Sequence, residues 1–437
     1  MKEHRSRAIR TNGFTVRHAM VVLAGIIICF GPCGMVYNAW SVFVVPVSSS
    51  FGVPTSGFTF FITIVYLVGA LAVPFAGNLM QRCDVRKVLS VSALLVSLGI
   101  TLCSFWTEMW QFYISGIIEG IGIVSLMFLA VPTLINRWFA KRTGFFIGLC
   151  FAMSGLGGAV WSMLTGILIE ASSWRTAYLV FGIAILAMTL PATTLLIRSY
   201  PEEIGLAPYG AEPEGICRKT GDKGPGTNGK SWGVPARAMF RSPSFYFLLI
   251  ALGLFNALTV VVNLYASYLY HLADLGAGDI TTENVVMLAS SMAACLMVVA
   301  AVGKVSLGAL SDKSNRAALI VVCSCGTASV LGLWLGQGSL ATVYAAAVLG
   351  GFLYAAIDVL GAAFTRHITG PREYTLIYSR VALFVNLAGA VAATACAAVA
   401  EASWDAEWIM ALTMIAASFI SGWLALSIGE RLEQTLE

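Results

Sequence analysis

The stretch Gly77-Asn78-Leu79-Met80-Gln81-Arg82-Cys83-Asp84-Val85-Arg86-Lys87 closes one long apolar run and opens the next. A second stretch, Gly308-Ala309-Leu310-Ser311-Asp312-Lys313-Ser314-Asn315-Arg316, does the same in the later part of the chain. Each sets a glycine at the end of an apolar run and then turns through an acid among basic residues. Further basic turns follow each copy at similar distances, Arg137 to Gly144 and Arg366 to Arg372. One such turn is weak evidence; two at matching places indicate a duplicated bundle.

Composition says what kind of bundle. Of 437 residues, 58% are hydrophobic and 11% charged, about half the charged share of a soluble chain. The apolar residues fall in runs of about 20 or more, enough to span ~30 Å of hydrocarbon. In lipid the backbone must satisfy its own donors and acceptors, so such runs are helices. Twelve spans are predicted, at 18–45, 57–79, 87–106, 110–135, 143–169, 176–197, 245–270, 284–310, 317–336, 340–365, 374–400 and 406–428. The fold class is therefore all-α and membrane-embedded, with two pseudo-symmetric six-helix bundles at 18–198 and 244–429. Between them, 199–243 is rich in Pro, Gly and charge (Gly221-Asp222-Lys223-Gly224-Pro225-Gly226) and is predicted to be a flexible linker. Short tails, 1–17 and 430–437, complete the chain.

Lys and Arg set the orientation. Arg82, Arg86, Lys87, Arg137, Lys141, Arg142, the basic centre from Arg198 to Arg241, Lys313, Arg316, Arg366, Arg372 and Arg431 all fall on one side. The other side has Arg175 and the acids Glu108, Glu170, Asp274, Asp279, Glu283, Glu401, Asp405 and Glu407. Both termini are thus expected in the cytoplasm, with the chain in an inner membrane. The basic start (Lys2, Arg5, Arg7, Arg10, Arg17) precedes an apolar run longer than a signal peptide's, so a cleaved signal is not expected. The net charge of +4 follows from topology and implies no nucleic-acid partner. The ten cysteines form no C-x-x-C pair and mostly sit alone in apolar runs (Cys29, Cys103, Cys150, Cys295, Cys396), as small buried hydrophobes do. No cofactor or metal is expected.

The paired turns resemble the G-x-L-x-D-[RK]-x-G-[RK]-[RK] loops of the major facilitator superfamily. There the resemblance implies a conformational latch at Gly77, Arg82 and Asp84 in the first copy, and Gly308, Asp312, Lys313 and Arg316 in the second. The first copy departs from the pattern, with Gln81 in place of the acid and Asp84 in place of a glycine, so a weaker or rewired latch is expected there. Tyr37-Asn38-Ala39-Trp40-Ser41-Val42-Phe43 with Pro46 is similar to oxalate–formate antiporter relatives. Arg137-Trp138-Phe139-Ala140-Lys141-Arg142-Thr143-Gly144 resembles a turn shared with monocarboxylate porters. Trp174-Arg175 and Pro201-Glu202-Glu203-Ile204-Gly205 also occur in bacterial members. The drug–proton antiporter Gly-Pro pair is missing from Gly148 to Gly158.

Charged groups inside the membrane are functional candidates by default. Four stand out: Glu119, Lys304, Asp358 and Arg380. Two cations against one acid in the second bundle suit an anionic solute. Lys304 lies one turn before Gly308, where the resemblance implies a substrate-holding cation; the alternative is a lysine that snorkels to the surface. Arg380 is a second contact candidate, although the family's basic or tryptophan residue aligns with Val381. Asp358 and Glu119 are the candidate proton carriers, and a static ion pair is the other reading of Asp358. Tyr37, Trp40, Asn38, Asn256 and Asn263 are candidate polar or aromatic walls.

The chain has no G-x-x-x-x-G-K-[ST] and no constellation for hydrolysis or metal chemistry, so neither an ATP-driven pump nor an enzyme is expected. The reading that follows is a monomeric secondary carrier for a small organic anion, a mono- or dicarboxylate, by proton symport or anion exchange. Its alternatives are a carrier of a drug or neutral metabolite on the same fold, and a membrane sensor without flux.

Overall fold

A computed structural model describes residues 13–53, 55–211, 234–276, 280–281, 285–336, 339–371 and 373–436. The centre of the linker (Gly221–Gly226), the basic start Lys2–Arg10, Arg372, Asp279 and Glu283 lie outside the described residues. Among the described residues, twelve helices are long and apolar enough to cross a membrane. We label them α1 (Val16–Asn38), α2 (Thr55–Arg82), α3 (Val85–Cys103), α4 (Met109–Trp138), α5 (Thr143–Ala171) and α6 (Trp174–Leu196) in the first half. The second half holds α7 (Pro243–Asn263), α8 (Val285–Ser311), α9 (Asn315–Leu335), α10 (Leu340–Thr369), α11 (Tyr374–Ala402) and α12 (Trp404–Leu436).

Local chemistry marks where many of these helices begin. Asp84, Ser173, Ser242 and Ser314 each accept a hydrogen bond from a first-turn backbone N–H of α3, α6, α7 and α9. A capped start leaves fewer orphan donors. Three helices contain a wider, π-type stretch beside a proline: Cys29–Asn38 around Pro32, Ser125–Ala130 before Pro132, and Ala192–Leu196 after Pro191. Proline lacks the N–H that would continue the regular ladder, so the local register loosens. The predicted first span, 18–45, therefore ends early as regular helix, and a 3₁₀ turn at Trp40–Phe43 and a short α-helix at Val44–Phe51 follow it.

Each half packs around its own apolar core, with Trp138 and Phe112 fully buried in one and Trp408 and Tyr265 in the other. The outward faces are also apolar. Leu67, Leu71, Phe75 and Leu79 form an exposed i, i+4 stripe on α2, with Phe75 80% exposed. Water would not tolerate so continuous a stripe, whereas lipid tails match it.

The linker differs from its sequence reading at both ends. Pro201–Ile204 forms a short 3₁₀ turn, and Tyr209 exchanges backbone hydrogen bonds with Trp138 (2.8 Å) and Ala140 (2.9 Å). Val234 N–H donates to the Thr369 carbonyl at 3.0 Å and Ala236 N–H to the Glu373 carboxylate at 2.7 Å. These segments lack apolar periodicity, but single anchors suffice: the Tyr209 ring packs edge-on to Phe14 and Phe139.

The turns α2–α3, α4–α5, α8–α9 and α10–α11 share one face with the linker ends, here termed the basic face. The halves meet there along α5 and α8. Gly144 and Gly308 back onto each other so closely that a Cβ on either would strike the other's backbone, and one turn deeper Gly148 lies against the Lys304 carbonyl. Gly77 of α2 likewise faces Ser379 and Thr375 of α11. Gly308→Val is expected to push α5 and α8 apart and open the basic face. The measurement is spin-label distance across that face: a longer distribution than wild type is expected, and an unchanged one contradicts this account of the seam.

Candidate functional site

Beyond this seam, toward the opposite face, a cavity of about 380 Å³ lies between the halves. It is lined by α1, α2, α4 and α5 on one side and α7, α8, α10 and α11 on the other. The loosened stretches of α1 and α4 contribute Cys33, Tyr37, Asn38, Met127 and Phe128, so the proline-linked irregularities fall where the wall is built.

Lys304 is buried in the lining and does not snorkel. Its Nζ lies 2.7 Å from Asp358 Oδ2 of α10 and donates to the Phe151 carbonyl of α5 at 3.5 Å. The cation therefore joins two elements of its own half and touches the other half. Asp358 keeps about a third of its side chain (32%) exposed to the cavity, whereas Lys304 keeps 8%. A pair so placed has one desolvated partner and one that a solute or water can reach.

Other expected wall residues divide. Tyr37 lines the cavity, its ring 4.8 Å from that of Tyr66. Asn38 donates to the Ser154 carbonyl at 2.9 Å and Asn256 to the Val385 carbonyl at 2.8 Å, while both line the cavity with Asn263. Trp40 is not in the lining and lies beside Tyr66 as a support. Glu119 is buried against Gly99 of α3, away from the lining, and its Oε2 has no hydrogen-bond partner among the described residues. Arg380 requires a correction. Its guanidinium stacks on Phe240 at 4.9 Å and donates to the Leu376 carbonyl at 3.1 Å, outside the lining, while Val381 takes the inward place. One residue is ~100° of helix rotation. Among the described residues the cavity lining thus holds one cation and one acid, without the expected positive surplus.

Three tyrosines escaped the sequence reading: Tyr66, Tyr354 and Tyr378 line the cavity. Tyr354 had a signal, since it precedes Asp358 by one turn on the same face of α10. Tyr66 and Tyr378 had none beyond being tyrosines in apolar runs.

The two latch copies behave differently. Asp312 reaches across the halves: its carboxylate accepts from Gly144 N–H (2.7 Å) and Phe145 N–H (2.9 Å) at the start of α5. That is an acid on the positive end of a helix dipole. Arg366 adds bonds to Asn136 and the Phe139 carbonyl, again across the seam. Asp84 stays within its own half, capping α3, pairing with Arg86 at 2.9 Å and accepting from the Ser199 hydroxyl at 2.6 Å. Burial pushes the Asp84 carboxyl up, but the Arg86 side chain, the Ser199 hydroxyl and the Arg86 amide outweigh it and hold it at about 2. Arg316 pairs with Glu430 at 2.6 Å inside the second half. Arg82 and Lys313 are exposed and form no ion pair among the described residues.

Comparison with known proteins follows the same lines. The profile of the Major Facilitator Superfamily matches residues 25–335 and 279–435. An uncharacterized transporter of Saccharomyces cerevisiae, ESBP6, is 24% identical over 342 residues, covering 77% of this chain and 46% of that protein. Monocarboxylate transporter 4 of Rattus norvegicus is 29% identical over 194 residues, 44% of this chain and 40% of that protein. The match thus spans less than half the length of these curated relatives. Among solved structures, the E. coli fucose:proton symporter FucP superposes with a TM-score of 0.66 at 12% identity, over 93% of this chain and 98% of that one. FucP in the outward conformation gives 0.67 at 13%, with the same coverage of both chains. At these identities the likeness is one of fold.

Two measurements test the geometry. In a double-mutant cycle, Lys304→Ala and Asp358→Ala should each destabilise, and the double variant by less than their sum, with a coupling of roughly 1–3 kcal/mol. Zero coupling would show the pair to be incidental. For Asp84 the folded carboxyl is depressed from 3.8 to about 2. Its contribution is therefore full above pH ~4 and lost as pH falls toward ~2. The stability gap between wild type and Asp84→Asn should accordingly shrink over that interval; a constant gap contradicts the assignment.

Proposed function

The chain belongs to the Major Facilitator Superfamily, and from that premise we propose that it carries a small organic monocarboxylate together with a proton. Members of this superfamily are transporters and not enzymes. The observation that carries the reading is the Lys304–Asp358 pair in the cavity wall, with Lys304 also on the Phe151 carbonyl of the facing half.

The chemistry follows from charge balance. A carboxylate entering the cavity has one cation to meet, and Asp358 already occupies it. Displacing an ionised Asp358 would strand a negative charge beside the newcomer in a poorly solvated site, which costs several kcal/mol. Protonated Asp358 removes that penalty and frees the ammonium for the solute. Solute anion plus proton then replaces the internal pair, and the cavity stays neutral. Lys304 binds as a point charge; Tyr37, Asn38 and Asn256 supply wall and hydroxyl or amide contacts. The monocarboxylate transporters among the relatives support the solute class. One cation, where the sequence had offered two, favours a single carboxylate and symport over dicarboxylate exchange.

In this reading the structure is the state closed at the basic face. The abundance of Lys and Arg at that face supports a cytoplasmic orientation for it, and with that the reading of an inner-membrane carrier with both termini inside and the cavity facing outward. The functional unit is a monomer, since the solute path lies within one chain. Rocking of the halves about α5 and α8 supplies the inward state.

Proteoliposomes carrying a pH-sensitive dye test this. An inward proton gradient should accelerate uptake of C2–C4 monocarboxylates and each uptake should acidify the lumen. Lys304→Ala should lose roughly 10- to 100-fold in kcat/KM, the worth of a charged hydrogen bond. Asp358→Asn should retain solute counterflow while losing acidification. Counterflow of no carboxylate by folded wild type would sink the solute class; uptake without acidification would sink the coupling.

A further inference from the structure

A second cavity, of about 590 Å³, lies on the basic face where the ends of α5, α8 and α10 converge. Lys141, Arg142 and Thr143 of the first half face Asp312, Lys313 and Arg366 of the second. Four of these side chains are permanent cations and one is an acid. Asp312 directs its oxygens to the N–H groups of Gly144 and Phe145, and Arg366 is engaged with Asn136 and the Phe139 carbonyl. Lys141, Arg142 and Lys313 are exposed and have no ion pair among the described residues. Arg142 also has φ 58°, the one non-glycine among the described residues with positive φ. Such a conformation persists only where its surroundings hold it. Three uncompensated cations therefore crowd one cleft, although each could have been placed apart on an open surface.

We propose that this cleft binds a phosphate-bearing polyanion, and that the bound anion holds the basic ends of the two halves together. Phosphate oxygens accept from guanidinium and ammonium groups together, whereas the Thr143 hydroxyl is already directed at Asp312 (3.4 Å). A monovalent carboxylate would leave most of the charge unmet. Because the walls come from both halves, the site is complete only while the seam is closed. A ligand that binds one conformation shifts the equilibrium by its differential affinity. The anion thus favours the state in which the solute cavity opens to the opposite face, and slows or primes the cycle according to its abundance. The chemistry has two sources, the headgroup of an anionic phospholipid at the membrane surface or a soluble di- or triphosphate. The inference does not depend on which solute the central cavity carries.

The experiment uses the full chain with Cys83→Ser, since Cys83 is exposed, and nitroxides at Glu170→Cys and Asp274→Cys on the opposite face. In phosphatidylcholine nanodiscs, inorganic pyrophosphate is titrated; in a second arm a third of the lipid is replaced by phosphatidylglycerol. The expected result is a roughly threefold enrichment of the long-distance population across the opposite face, abolished by Arg142→Gln with Lys313→Gln. The charge-retaining pair Arg142→Lys with Lys313→Arg should keep the response, which separates lost charge from lost fold. A response to phosphatidylglycerol alone assigns a lipid headgroup, to pyrophosphate alone a soluble anion, and to both the shared phosphate chemistry; each supports the site. No response in either arm, or a response undiminished in the glutamine variant, overturns it.

Discussion

The contact between α5 and α8 governs most of what this molecule can do. Two glycine contacts, Gly144 on Gly308 and Gly148 on the Lys304 carbonyl, bring the backbones of opposite halves together. That approach brings the start of α5 within hydrogen-bond reach of Asp312, and it lets the Lys304 ammonium touch the Phe151 carbonyl. Backbone approach, the Asp312 contact and the Lys304 contact are therefore one seam. Opening the basic face must remove the helix cap and the lysine's cross-half contact in a single movement, and a group that re-pairs Lys304 acts on the same movement.

The two halves share an architecture and divide the work unevenly. In the second half the turn after α8 places its acid on the facing half. In the first, Asp84 stands three positions later than Gln81, where it caps its own helix and binds Ser199. Its glycine is still used, because Gly77 lets α11 approach through Ser379. Pseudo-symmetry thus survives in backbone packing, where only a missing Cβ is required. It is lost in polar chemistry, where the side chain must stand at one position.

The charges inside the membrane show how far periodicity can be pushed. Lys304 and Asp358 were legible because an ionised group in an apolar run demands a partner, and the pair was one of the readings open for Asp358. Arg380 was misleading because its depth was right and its azimuth wrong: the guanidinium found Phe240, from outside the helices, while Val381 turned inward. Glu119 satisfied the same rule from sequence but lies within the first half's packing. Tyr66 and Tyr378 carried no anomaly that a one-dimensional reading detects.

What the sequence by itself determined is the number of spans, their division into two blocks, the helical class and the accumulation of basic residues on one face. These follow from local quantities, namely run length, hydropathy and the sign of charge in the turns, and each is fixed by the solvent a segment meets. Tertiary structure alone decided which charges face one another, which tyrosines form the cavity wall, and that Asp312 crosses between halves while Asp84 does not. Those outcomes depend on helix azimuth and on the separation of two backbones. A rotation of one residue or a single added Cβ changes them, and no apolar pattern along the chain records either.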